Sequence, residues 1–150
     1  MSTEYREVEK PLIEQLTRMG WAYLEGDTDL PERTERSDFR EAVLQGRLME
    51  AVGRINRLRL PWLTDADVQA AVLELLRLEG SKLLETNRLV LERLIHGTTI
   101  PGPDGKGHTL RFLDFENPHH NDFLAINQFR VNPPTYRAGA ATSCPTWCSS

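Results

Sequence analysis

The side chains able to do chemistry fall in a few places along the chain. His119 and His120, with Asp122 close behind, offer two imidazoles and a carboxylate to a metal ion. Adjacent histidines on a loop point apart, however, and this spacing matches no zinc-ligand pattern. An exposed turn between two strands is the simpler reading. Cys144 and Cys148 could act as a thiolate pair, but they have no further cysteine or nearby histidine to complete a tetrahedral set. Glu9 and Glu14 place carboxylates on an amphipathic N-terminal segment. Asp114 interrupts an apolar run between Leu113 and Phe115, which leaves open whether it faces a metal or solvent. Arg36, Arg40, Arg47, Arg54, Arg57 and Arg59 could contact phosphates, since counterion release rewards clustered arginine. Glu32, Glu35, Glu41 and Glu50 are interleaved with them, and an ordinary salt-bridged surface accounts for the pattern more simply.

Composition narrows the classes. The chain has 150 residues, 39% of them hydrophobic, and a net charge of -4 from 18 basic and 22 acidic side chains. That balance argues against a stand-alone polyanion binder but not against a nuclease, whose carboxylates hold divalent metal. The first residues show no basic stretch followed by an apolar one, as a secretion signal would. No apolar run approaches the length of a membrane span. Both cysteines lie near the C-terminus, so the rest of the chain suits a reducing cytoplasm.

Several elements must position these groups. Tyr5, Val8, Leu12, Leu16 and Met19 recur at spacings of three and four, giving a helix with one apolar face that Gly20 closes. Pro11 inside that pattern predicts a kink or a restart. Trp21 to Leu24 reads as a short strand, and Pro31 to Arg36 as a charged connector. A second helical region is expected from Ser37-Asp38, with Phe39, Val43 and Leu44 inward, a break at Gly46 and a continuation through Leu48, Met49, Val52 and Ile55. Thr64 and Asp67 have the spacing of a capping box ahead of Val68, Val72, Leu75 and Leu76. A further helix is expected from Ser81 to His96, with Leu84, Leu91, Leu94 and Ile95 inside and Gly97 ending it. Trp21 and Trp62 read as packing aromatics. The turn cluster Pro101 to Gly105 introduces strands, and Arg111 to Val131 reads as a paired hairpin. The class is α/β, helix-rich first and then a β-hairpin.

With these elements in order, the sequence resembles the N-terminal nuclease region of the type I restriction endonuclease R subunit (HsdR). The resemblance is carried by Thr3 to Leu16, Met19-Gly20-Trp21, Arg36 to Glu41, Glu85 to Arg88, Phe115 to Pro118, Asn121 to Phe123 and Asn127-Gln128-Phe129. It implies a restriction-endonuclease-like core of the PD-(D/E)xK type. There, an Asp on the next strand and a Glu-x-Lys on the strand after it hold Mg²⁺ and activate water against a phosphodiester. It implies Glu9 as an accessory catalytic carboxylate, being nearest the family's early acidic position, with Glu14 the less favoured choice. It also implies a helicase motor using ATP, DNA as substrate, and partner modification and specificity subunits.

The resemblance stops after Val131. The family's Pro-Asp strand and Glu-x-Lys are missing, no acidic residue occurs after Asp122, and no helicase phosphate loop is present. A hairpin of this kind needs another strand for independent stability. The expectation is therefore a partial, incomplete nuclease domain over 1–131 and a disordered tail over 132–150. Trp is always TGG and Cys is TG plus a pyrimidine, so a one-nucleotide shift across Trp147-Cys148 forces a Val codon. The same shift allows Pro-Asp across Cys144 to Thr146, followed by apolar residues. The tail from about residue 137 thus reads as a frameshift product. The expected consequence is a fragment without nuclease or ATPase chemistry and needing no cofactor. The alternative is a small helical protein-interaction module.

Overall fold

A computed structural model describes residues 5–80 and 82–132. The order is a π-helical turn (Tyr5–Glu9), α1 (Lys10–Arg18), β1 (Ala22–Glu25), α2 (Gln45–Arg57), α3 (Asp65–Leu76), α4 (Leu83–His96), β2 (Thr98–Pro101), β3 (Gly107–Leu110) and β4 (Leu124–Asn127). Short 3₁₀ turns at Pro31–Thr34 and Pro118–His120 interrupt the connections. The fold is a mixture of helices and small sheets, in agreement with an α/β class. The expectations for a tail concern residues that, Asn132 apart, lie outside those described. So do Cys144 and Cys148, and Ser81 at the expected start of α4.

Pro11 does mark a restart. It occupies the first turn of α1, where its missing N–H costs no helical bond. Gly20 follows α1 at φ 89°, the left-handed position expected of it. The Thr64 cap is also present: Thr64 Oγ1 accepts from the Asp67 amide, while the Asp67 carboxylate accepts from the Thr64 amide. Gly97 ends α4 at φ 76°, where a Cβ would run into the Leu110 carbonyl.

Two element assignments are corrected. The first concerns residues 37–44, which are not helical; α2 starts at Gln45 and runs through Gly46. Here the Asp38 side chain accepts from the Arg40 amide, and the Asp38 carbonyl accepts from Glu41. Local side-chain bonding thus offers the backbone a turn in place of a helix. The second concerns the hairpin. The antiparallel pair is β2 with β3, in register Thr98↔Leu110 to Pro101↔Gly107, around the Gly102 to Lys106 turn. The second half of the expected hairpin, β4, instead pairs in parallel with β1, from Ala22↔Leu124 to Glu25↔Asn127. Asp114 and Asn121 explain the change. Asn121 Oδ1 accepts from the Asp114 amide, Asn121 Nδ2 donates to the Asp114 carbonyl, and the Asp114 carboxylate accepts from the Glu116 and Asn117 amides. Side chains thereby take the backbone groups that a ladder would have used.

The core joins α2, α3 and the β2–β3 hairpin through Val52, Leu60, Leu63, Val68, Ala71, Val72, Leu75, Leu110 and Phe112. Asn56, fully buried on the α2 face that carries Val52, ties this core to the next segment. Its Nδ2 donates to the Val52 and Arg111 carbonyls, and its Oδ1 accepts from the Arg111 amide. Beside this core, α1 and α4 have no buried residue. Of the residues expected inside α4, Leu94 packs against the core, but Leu84, Leu91 and Ile95 are exposed. Along the first helical segment, Val8 of the π-helical turn, Leu12 of α1 and Met19 just after it are exposed as well. The apolar pattern specifies each helix, but no described surface covers these faces.

Candidate functional site

The region around the ends of β1 and β4 and the 28–41 loop holds some of the groups singled out above, among them Arg36 and Arg40. α1 packs against β1. At the ends of β1 and β4, Gly26 donates its amide to Asn127 Oδ1 at 2.9 Å. A Cβ on Gly26 would collide with the Asn127 carbonyl, so glycine is required there. Beyond β4, Gln128 adopts φ 48°, and the outgoing segment lies against the loop. Asn132 donates its amide to the Phe39 carbonyl, and Arg130 donates Nη1 to the Thr28 carbonyl.

The two glutamates of the first helix differ in environment. Glu14 is exposed between Lys10 and Arg18, at 3.9 and 3.7 Å, on a solvated face. Glu9 is half-buried at the junction of the π-helical turn and α1, and its Oε2 is buried without a hydrogen-bond partner. Burying such an oxygen unpaired is costly, and a cation or donor would offset that cost. One oxygen is not a metal site, though. Among the described residues no group of three or more His, Cys, Asp and Glu side chains could hold a metal ion. The donor set that the resemblance implies for Mg²⁺ is thus not assembled within them.

The histidine cluster is not brought together either. His120 Nδ1 faces Asp114 Oδ2 at 2.9 Å, His119 meets the His120 ring edge-on, and Asp122 turns away to Arg47 Nη1 at 2.9 Å. The pair belongs to the 3₁₀ turn between Asp114 and β4. Asp114 is buried, and its carboxyl is held below the usual range, chiefly by the Asn117 amide and then by His120. Its choice between metal and solvent is resolved as neither: it organises the loop. The Asp104-Gly105-Lys106 triplet has Asp-x-Lys spacing but forms the hairpin turn, where Asp104 accepts from the Lys106 amide and meets His108.

The arginines do not form one phosphate-binding face. Arg47 is clamped between Glu35 and Asp122, which raises its pKa further and lowers that of Glu35 through the Arg47 hydrogen bond. Arg57 pairs with Asp65, Arg59 reaches Asn56 Oδ1, and Arg54 donates to the His120 carbonyl. Arg40 is exposed. Glu35 pairs with Arg47, but among the described residues no ion pair joins Glu32, Glu41 or Glu50 to these arginines, so a general salt-bridged surface overstates the case. Arg36 is the surprise, being 3% exposed inside a cage of aromatic rings and carbonyls. Trp21 stacks on Phe123 at 5.1 Å, and Trp62 lies edge-on to His108, both as packing aromatics. Sequence reasoning missed the internal roles of Arg36, Asn56 and Arg47. Only Asn56 carried a signal, a polar residue at the spacing of the apolar face.

No helix among the described residues is long and apolar enough to cross a membrane. The sequence matches the family described as Type I restriction enzyme R protein N terminus over residues 1–144. It is 31% identical over 127 residues to the type I restriction enzyme MjaIXP endonuclease subunit of Methanocaldococcus jannaschii. It is 27% identical over 131 residues to the type I restriction enzyme HindI endonuclease subunit of Haemophilus influenzae. Each alignment covers 83% of this chain, and the chain spans 12% of each relative's length. No solved structure matches it significantly.

Proposed function

The chain belongs to the type I restriction enzyme R protein N-terminal family, and from that premise we propose that it is the opening part of a PD-(D/E)xK-type nuclease region with Glu9 as its accessory carboxylate. The match over residues 1–144 carries this reading, and the unpartnered buried oxygen of Glu9 supports the choice of residue. The whole activity would be ATP- and Mg²⁺-dependent cleavage of unmodified DNA, performed in the cytoplasm with modification and specificity subunits. The 150 residues themselves contain no carboxylate after Asp122 and no Glu-x-Lys, so this chain alone should not hydrolyse DNA.

Two experiments test the reading. The purified chain, mixed with Mg²⁺, ATP, DNA and partner subunits, should give no cleavage above a no-protein control; cleavage would overturn the inactivity. A chimera would carry residues 1–131 in place of the matching part of the Haemophilus relative and should cut DNA. Glu9→Gln in that chimera should lower activity by roughly 10–100-fold, the range for groups that support a metal centre. An active chimera indifferent to Glu9→Gln would remove Glu9 from the site.

A second reading, a helical protein-interaction module, rests on the exposed Leu84, Leu91 and Ile95 of α4. It would be favoured if a partner subunit bound the chain and Leu91→Glu abolished that binding.

A further inference from the structure

Arg36 is a buried cation with no ion-pair partner among the described residues. A guanidinium carries five N–H donors in a fixed fork. Nε donates to Thr34 Oγ1 at 2.8 Å, and Nη1 donates to the Glu41 and Arg130 carbonyls at 3.1 and 2.9 Å. These bonds leave Nη2, which is buried and without a partner. The cation lies 3.7 Å from the Phe129 ring centroid and 5.6 Å from that of Phe39. All these neighbours are neutral. Among the described residues no carboxylate lies within ion-pair distance of Arg36; that of Glu41 accepts from the Ser37 amide and hydroxyl, and that of Glu35 pairs with Arg47.

Leaving a charge buried without a counter-ion is among the more destabilising arrangements available to a protein. Aromatic faces and carbonyl dipoles offset part of that cost. They do not use the two N–H bonds of Nη2. The walls around Arg36 are irregular loop, residues 37–41 on one side and 128–132 on the other, with Asn132 bonded across to Phe39. Segments outside helix and strand open locally at lower cost than a packed core, and entry of a small ion would need such an opening.

We propose that Arg36 is an oxyanion receptor, with Nη2 donating to an oxygen of a carboxylate or phosphate that enters between these two loops. Nε and Nη1 are already committed, so the bidentate fork is closed and one ligand oxygen binds through Nη2 alone. The proposal is independent of the nuclease reading, because Arg36 is not assigned a part in cleavage.

The test uses the full 150-residue chain in chloride, phosphate and acetate at matched ionic strength. Phosphate or acetate should raise Tm saturably by a few degrees above chloride and should shift the Arg36 Nη resonances in ¹⁵N spectra. A response to phosphate alone identifies a phosphate site, and one to acetate a carboxylate site. Arg36→Met should abolish the oxyanion-specific rise. If that variant fails to fold, the resonances of the unaltered chain decide. Equal Tm values in all three salts, with unmoved Arg36 resonances, would overturn the proposal and leave Arg36 as an internal tie between loops.

Discussion

Two parts of this molecule use apolar residues at helical spacing and reach different ends. α2 and α3 bury Val52, Val68, Ala71, Val72 and Leu75 against Leu110 and Phe112 of the hairpin side. α1 and α4 have comparable patterns, yet Val8, Leu12, Met19, Leu84, Leu91 and Ile95 remain exposed. Spacing decides that a stretch is helical and which of its faces is apolar; burial requires a second surface, which α2, α3 and the hairpin supply to one another and to one side of α4, through Val90 and Leu94. The contrast predicts unequal energetics. Leu110→Ala, at a fully buried position, should destabilise the chain by about 3 kcal/mol, whereas Leu84→Ala should stay within about 0.5 kcal/mol. Urea denaturation of both variants checks this. Equal losses would show that α4's outer face is covered in solution.

The polar link between α2 and the segment just after β3 should come next in size. Asn56 satisfies both the amide and the carbonyl of Arg111 from inside the core. Asn56→Ala would leave those part-buried groups without this partner, at a cost of about 2 kcal/mol. Asn56→Leu should not restore stability, because volume is not what is missing. Full recovery with leucine would mean that Arg111 finds other partners, and the link would then be ordinary packing.

The same division explains what was legible beforehand. The Thr64 box, the Gly20 and Gly97 closures, the restart at Pro11 and the strand after Trp21 all depend on neighbours in sequence. Each was readable for that reason. The pairing of β4 with β1 joins residues about a hundred positions apart, and nothing local encodes it. The misplaced hairpin has a local cause, but a hidden one: Asp114, which interrupts an apolar run, and Asn121, which reads as part of the second strand, bond to each other and build a loop. Among site residues, Glu9 and Glu14 were indistinguishable by type, and only the fold separates a solvated carboxylate from a half-buried one. Arg36 and Arg47 were read as surface because arginine usually is; their buried or clamped settings arise from loops whose paths carry no periodicity.

A cap within the packed part gives a smaller, local effect. Thr64→Ala removes the acceptor for the Asp67 amide and should cost about 1 kcal/mol, with Thr64→Ser recovering most of it. Far-ultraviolet circular dichroism during denaturation would follow this. A loss well above that figure would mean that Thr64 supports the Arg57–Asp65 contact as well as α3.

The smallest effect tests the loop between β3 and β4, and it appears as a pH dependence. The Asp114 carboxyl sits below its usual range in the folded chain because it accepts from the Asn117 amide, then from His120 and the Glu116 amide. A depressed folded pKa means that ionised Asp114 favours the folded state. Its contribution is fully present above the unfolded value of about 3.9 and is lost as pH falls through the lower folded value. The unaltered chain should therefore lose stability on acidification below about pH 5, and Asp114→Asn should make that limb shallower. The variant keeps one acceptor oxygen for the two amides and changes the group facing His120, so its loss at neutral pH should be modest. Denaturation midpoints of both chains at stepped pH values from neutral to about pH 3 measure the difference. Parallel acid limbs would show that the loop's geometry does not depend on the Asp114 charge and rests instead on the Asn121 bonds and the Arg54 contact to the His120 carbonyl.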